Sequence, residues 1–400
     1  MTTPAETAAG QQDGPLAGVR VLDLSGYIAG PYGCTLLADQ GAEVIKIEPP
    51  EGDNLRKYPS TLAAEGRAYI GVNRGKLGIS LDLKQPEGRE VLRRLVRSAD
   101  VLVHNFRPSV PGRLGIDYET LREVNPRLVY CTLNGYGDQG PLKDKAGYDQ
   151  VLQAMTGICA MQGPPGEPAI VYGSVVDYYA AALLAGGVSS ALYRRERSGQ
   201  GQHVKISLMR SALAMQSARL VWAESEGRDV YRDMRSGGIT GLHPTREGSL
   251  YLSANTPHFW KALCELIGLP ELAADERYDT VRKRSQHADE IVPLIRRALQ
   301  ARSALEWEEL FGERVPCAAV RQIEDMFDHP QVAAEGMVQE FEHPLVGRYR
   351  GFSRSIAFGE GQPAPALPAP VFGQHSEQIL ARHGYSADEI AAMRQAGVIA

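Results

Sequence analysis

The chain has 400 residues, 43% hydrophobic and 23% charged, which is length enough for a large core and for two domains or more. Its formal net charge of −5 offers no basic face for nucleic acid. Five scattered cysteines without a C-x-x-C pair, and nine histidines without H-x-x-x-H or H-E-x-x-H, argue against a disulfide framework and a metal site. They fit reduced thiols in a cytoplasmic protein.

Met1 to Pro15 lacks the basic start and apolar run of a signal peptide, so residues 1–15 are expected to fray as a tail. No stretch has the ~18 or more uninterrupted apolar residues of a membrane span. From Gly18 the chain alternates between two periods. V-R-V-L-D-L predicts a buried strand, and G-P-Y-G-C-T-L-L-A-D-Q-G predicts a helix with proline at its opening and Gly41 at its close. A-E-V-I-K-I-E is a second strand, ending at Pro49 and Pro50. I-S-L-D-L is a third, followed by a helix from Pro86 to about Ser98. A-D-V-L-V-H-N-F predicts a strand, Tyr118 to Asn125 a helix, and R-L-V-Y-C-T-L another strand. Strands alternating with helices imply βαβ units and a parallel sheet, hence a Rossmann-like α/β domain.

The dinucleotide fingerprint is missing, because L-S-G-Y-I-A-G-P-Y-G follows the first strand in place of G-x-G-x-x-G. Gly30 and Gly33 admit either a ligand's close approach or tight strand–helix packing, and both readings stay open.

Asp177 is a lone acid within V-Y-G-S-V-V-D-Y-Y-A-A-A-L-L-A-G-G-V. The β-branched run before it and the Ala- and Leu-rich segment after it predict a helix with Asp177 in its first turn. That helix closes with Arg194, Arg195, Arg197 and Gly199. There the free N–H groups and the dipole favour an anion. From this pattern alone a capping aspartate is the plainer reading, and a pocket nucleophile the alternative that needs support from the rest of the chain.

G-Q-G-Q-H-V-K-I-S-L then predicts a loop and strand, and Met209 to Glu226 a long helix. Residues 16–226 are therefore assigned to the first part of the large domain. A glycine-rich polar loop, the strand S-L-Y-L-S-A and short helices at His258–Gly268, Ser285–Ala301 and Ala304–Phe311 make a smaller α+β domain over residues 227–328. Residues 329–400 supply a linker and two closing helices that return to the large domain. Ser386 and Glu389 predict a capping box at the last of them.

Taken in order, these segments resemble the family III CoA-transferases, the CaiB/BaiF family, from about Pro15 to the end. The resemblance rests on P-L-A-G-V-R-V-L-D-L, G-A-E-V-I-K-I-E-P-P, N-R-G-K, A-D-V-L-V-H-N-F-R-P and N-P-R-L-V-Y-C-T-L-N-G-Y-G. It continues through G-Y-D-Q-V-L-Q-A-M-T-G, the Asp177 segment, S-G-Q-G-Q-H-V-K-I-S-L, V-P-C-A-A-V, D-H-P-Q-V and G-Y-S-A-D-E-I-A-A-M-R-Q-A-G-V-I. It implies an interlocked homodimer, Asp177 as nucleophile, and CoA or acyl-CoA as a substrate rather than a resident cofactor. For CoA it points to Ala29, Arg74, Lys76, Asn105, Phe106 and Arg113. Ser236, Gly237 and Gly238, with Gly241 beyond, resemble the family's mobile glycine loop. Tyr148, Arg235 and His243 are candidates for touching the acid partner's carboxylate. Formyl-CoA transferases resemble H-V-Q-A-G-P where this chain has G-Y-I-A-G-P; Gly26 and Ile28 therefore disfavour that substrate.

The implied reaction moves CoA from an acyl-CoA, with succinyl-CoA the expected donor, to a small carboxylic acid. A carboxylate of pKa ~3.9 must displace a thiolate of pKa ~8.5, a mismatch of roughly 6 kcal/mol. Held CoA, N–H donors for the oxyanion and exclusion of water would offset it. One alternative is an isomerase like the α-methylacyl-CoA racemases, whose G-H-D motif is Gly147-Tyr148-Asp149 here. Tyrosine, with pKa near ~10, is a poor base at neutral pH. The other alternative is a CoA-ester-binding protein without turnover, which need not keep an ionisable Asp177.

Overall fold

The computed structural model describes residues 14–163, 166–227, 238–359 and 367–400. Its contacts divide into two compact units, Met1–Val221 with Gln331–Ala400, and Trp222–Pro330.

The first unit is built on β1 (Arg20–Asp23), β2 (Glu43–Glu48), β3 (Lys76–Ser80), β4 (Val101–His104), β5 (Val129–Asn134) and β6 (His203–Ser207). All pairings are parallel, in the order 3-2-1-4-5-6. Between them run α1 (Ala29–Ala38), α2 (Arg67–Asn73), α3 (Pro86–Val96), α4 (Ser109–Leu114), α5 (Tyr118–Val124), α6 (Asp149–Met155) and α7 (Val175–Ser198), and α8 (Leu208–Ala214) follows β6. Side chains on a strand alternate between faces, so each strand feeds two cores. Val21, Val44, Val101, Val103, Val129 and Cys131 pack with Leu37 of α1 and with Leu184 and Val188 of α7. Leu22, Ile45, Leu102 and Tyr130 face the other way, onto Leu92 and Leu95 of α3 and Leu121 of α5. Ile379 and Leu380 of the helix Ser376–Arg382, and Ile390 and Met393 of the helix Ala387–Gln395, complete that second core. The capping box is formed: Glu389 N donates to Ser386 Oγ at 3.3 Å, and Ser386 N donates to Glu389 Oε2 at 2.7 Å.

Chain order reverses between β1 and β4, and the crevice outside the strand ends at such a switch point is where α/β sheets take ligands. Glycine serves packing at this point, which settles the question left open by sequence. A Cβ on Gly30 would fall 2.4 Å from Ser25, and one on Gly33 3.0 Å from Leu184. Among the described residues, α7 is the helix long and apolar enough to cross a membrane by length and composition, and its buried residues belong to the α1–α7 core.

The predicted helix from Met209 to Glu226 is shorter than expected. It ends as α8 at Ala214, and Leu220, Val221 and Trp222 beyond it are exposed. Without a face to bury, that run has little to hold it helical.

The second unit has an antiparallel sheet of β7 (Gly241–Pro244), β8 (Ser249–Leu252) and β9 (Cys317–Ala319). Its own core joins Leu250 and Leu252 to Trp260, Ile291, Ile295 and Trp307.

Candidate active site

A cavity of about 720 Å³ opens at the switch point, reaching from Ser25–Ala29 after β1 to Asn105 after β4, and on to Tyr148 and Asp177. A narrower, more apolar one of about 340 Å³ shares Leu24, Ile47, Glu48, Pro49 and Phe106 with it, and Arg113 and Lys84 line it too.

Asp177 stands in the first turn of α7, as its sequence context predicts. The way it stands differs from an N-cap. Asp149, the first residue of α6, takes the helix N–H groups: its Oδ2 accepts from Val176 N at 2.6 Å and from Asp177 N at 3.0 Å. Among the described residues the Asp177 carboxylate itself has no hydrogen-bond partner in the structure. Burial first, and the charge of Asp149 second, push its carboxyl up to about 7. The expectation of a carboxylate held by the helix N–H groups is thus corrected, because Asp149 takes them.

Among the described residues, Tyr27 (φ 63°) and Ser174 (φ 58°) are the non-glycine residues in left-handed backbone, and both line the cavity. Such strain persists where neighbours enforce it. For Tyr27 the enforcers are Asp53, whose Oδ1 accepts from Tyr27 N at 3.3 Å, and Asn105. The amide of Asn105 accepts from Gly26 N at 3.0 Å and donates to Gly26 O at 2.8 Å. The Tyr27 ring meets Tyr148 edge-on at 5.6 Å and Tyr58 at 6.4 Å. Asp53 is anchored by the buried Lys46, whose Nζ lies 3.0 Å from Oδ2. Beside Tyr27 begins α1, whose N-cap Ile28 supplies no side-chain cap; Ile28 and Ala29 border the cavity.

The residues expected to hold CoA separate into two groups. Ala29, Asn105 and Phe106 line the main cavity and Arg113 the smaller one, although Asn105 spends both ends of its amide on Gly26. Phe106 stacks on His104 with ring centroids 5.1 Å apart. His104 Nδ1 accepts from Phe106 N at 3.2 Å, and Tyr130 donates to Ile116 O at 2.8 Å, so the His104 Nε2–H points to the Tyr130 oxygen at 2.8 Å. Burial above all drives that imidazole down to about 3, and it stays neutral under Phe106.

Arg74 and Lys76 do not reach a ligand. Both terminal guanidinium nitrogens of Arg74 bond the Asp39 carboxylate, and Lys76 Nζ is held by Asp23, Pro31 O and Asn73 Oδ1, all deep inside. The N-R-G-K string lies at a buried sheet edge, so its cations meet carboxylates rather than phosphates. Cations do border the main cavity at Arg107, Lys143 and Lys145. The exposed loop G-P-L-K-D-K-A-G carries the last two and is the signal that would have found them.

Tyr148 lines the cavity. Arg235, Ser236 and Gly237 lie outside the described residues, while Gly238 (φ 93°) belongs to the second unit. His243 is in that unit as well, buried, with Nε2 3.0 Å from Ile239 O. Burial lowers its pKa, so it does not present a cation for a carboxylate.

The family model described as CoA-transferase family III matches residues 16–376. The chain is 34% identical over 385 residues to a succinate–glutarate CoA-transferase of Agrobacterium fabrum, covering 92% of this chain and 95% of that one. It is 36% identical over 347 residues to an acetyl-CoA:oxalate CoA-transferase of Acetobacter aceti, covering 83% and 87%. The crystal structure of a CaiB/BaiF family protein from Brucella suis superposes with a TM-score of 0.81 at 30% identity, over 93% of this chain and 100% of the other.

Proposed function

This chain belongs to CoA-transferase family III and is a transferase acting on CoA; from that premise we propose that Asp177 carries CoA between an acyl-CoA donor and a free carboxylic acid. The observation that carries the reading is Asp177 itself, the unpartnered acid facing a cavity at the sheet's switch point.

In the proposed sequence an Asp177 oxygen attacks the thioester carbonyl carbon. The C–S bond breaks, CoA leaves as thiolate, and a mixed anhydride remains. The thiolate attacks the Asp177 carbonyl of that anhydride, breaking its C–O bond. This releases the donor acid as carboxylate and leaves an aspartyl-CoA thioester. The acceptor carboxylate attacks the thioester in turn, and the thiolate returns to the acceptor's carbonyl, freeing Asp177.

A carboxyl at about 7 supports this reading. Against a thiol of ~8.5 the mismatch falls to roughly 2 kcal/mol from roughly 6. The uncapped start of α1 at Ile28 and Ala29 offers N–H donors for the tetrahedral oxyanions. Lys143, Lys145 and Arg107 suit the phosphates of CoA, and Phe106 suits its adenine or pantetheine.

We infer a small dicarboxylic acceptor with succinyl-CoA as donor, supported by the relatives that carry glutarate or oxalate in their names. Tyr27 and Tyr148 would meet the acid's far end with phenol hydroxyls. A homodimer is part of the same reading: Tyr172, Tyr178, Tyr179 and Leu183, in and beside α7, leave an exposed apolar surface for a second copy.

The test is to mix the protein with succinyl-CoA and glutarate and follow swapped thioesters by mass spectrometry, with Asp177→Ala alongside. Loss of turnover and of a protein-bound CoA adduct in Asp177→Ala, with CoA still bound, is expected. Normal rates in that variant would remove Asp177 from the reaction.

A further inference from the structure

The start of α7 is capped from outside the helix. Ser174, the residue at its N-cap position, is left-handed and makes no side-chain cap. The cap comes from Asp149, which is 1% exposed and has both oxygens engaged. One holds Val176 N and Asp177 N, and the other accepts from the Gln153 amide one turn along α6. Gln153 also ties down the approach to α7, donating to Val171 O at 2.9 Å and accepting from Val171 N at 2.9 Å. The first turn of α6 and the entry to α7 are therefore one hydrogen-bonded unit around Asp149.

We propose that Asp149 is a positioning residue for the transfer. By taking the N–H groups at the start of α7 it leaves the Asp177 carboxylate uncapped, and it sets a second negative charge beside it. Asp177 thereby enters the reaction as a stronger nucleophile than a capping aspartate. The inference rests on the reading of Asp177 as nucleophile.

Two physical effects act together here. Hydrogen bonds to a carboxylate lower its basicity, and a like charge nearby raises it; Asp149 intercepts the first and supplies the second. The direction at Asp177 agrees, with burial first and Asp149 next. The elements packed on α7 bring other titratable groups. These are Tyr32 on α1, whose ring meets Tyr178 at 4.9 Å, the buried thiols of Cys34 on α1 and Cys131 on β5, Arg210 on α8, and His203 and Lys205 on β6; Tyr130 of β5 points into the opposite core. Tyr148 stands just ahead of α6. Among the charged groups of the described residues, Asp149 is the one that bears on Asp177.

The experiment compares wild type, Asp149→Asn, Asp149→Glu and Asp177→Ala in CoA transfer from succinyl-CoA to glutarate across pH. Intact mass reports the protein-bound CoA adduct. Asparagine keeps an oxygen for the helix and removes the charge. Asp149→Asn is expected to form the adduct, to move the acid limb of kcat/KM down by about one pH unit, and to lower plateau kcat roughly tenfold. Asp149→Glu restores the charge and returns the limb toward wild type. An Asp149→Asn limb that stays in place overturns the inference, whether kcat is unchanged or falls equally at every pH, since the latter marks a merely structural cap. If asparagine does not fold, Asp149→Ser, which also offers an oxygen without charge, faces the same two outcomes. Asp177→Ala separates the two ideas. If it is active, the nucleophile reading fails; if it is inactive while the limb of Asp149→Asn is unmoved, the present inference alone fails.

Discussion

Lys76 and Asp23 form an ion pair sealed from solvent, with Nζ 2.9 Å from Oδ2 and both side chains 0% exposed. Burial alone would raise the Asp23 carboxyl, yet Lys76, Lys46 and the Ser25 hydroxyl outweigh it and hold it at about 2. The pair joins β3 to β1 across β2, and Asp23 immediately precedes the Leu24–Ala29 stretch that lines the cavity.

Removing one partner should therefore cost stability rather than CoA affinity. Lys76→Met takes away the Asp23 ion-pair partner, leaving Lys46 and Ser25, and is expected to destabilise the protein by about 3 kcal/mol in urea unfolding, the low end for a broken buried pair. Because the Asp23 pKa lies below that of an unfolded aspartate (~3.9), its contribution is complete above that value and disappears as pH falls toward about 2. KM for acyl-CoA in the folded fraction should not change. A large rise in KM without loss of stability would restore Lys76 as a phosphate ligand.

Asp177 has the opposite sign. Its folded pKa of about 7 lies above the unfolded value, so the folded state binds the extra proton. Its stabilising effect is full below ~3.9 and is lost as pH rises through about 7. Asp177→Asn is expected to melt about 2–4 °C above wild type at pH 8, with the gap narrowing toward pH 5. Scanning calorimetry at the two pH values checks this. Equal melting at pH 8 would mean that Asp177 carries no burial penalty.

Lys143 and Lys145 border the cavity from an exposed loop. Replacing both by alanine is expected to raise KM for acyl-CoA roughly tenfold with little change in kcat, and the effect should shrink as salt screens the phosphates. Steady-state kinetics at low and high ionic strength measure it; an unaltered KM at low salt would exclude this loop from CoA binding.

Much of the fold is legible in sequence because strand and helix signals are local. The alternation of V-R-V-L-D-L with the helix of Ala29–Ala38 predicts β1 and α1, and the polarity change at Asp177 places it in the first turn of α7. The capping box at Ser386 is equally local. The extension of α8 to Glu226 is misread for a related reason: helical composition does not say whether a face will be buried.

The site divides along the same line. That Asp177 is a lone acid at a helix start follows from the order of residues alone, whereas Asn105, expected within the strand A-D-V-L-V-H-N-F, lies just past its end at His104. The fate of the charges does not follow from that order. Arg74 meets Asp39 across 35 positions, Lys76 meets Asp23 across 53, and Asp149 reaches Val176 across 27. A cation in a string such as N-R-G-K pairs with a phosphate or with a buried carboxylate according to which segments the sheet brings beside it. Only the tertiary structure decided that Asp149, and not Asp177, occupies the helix N–H groups, because a hydrogen bond requires donor and acceptor within about 3 Å and sequence spacing carries no such distance.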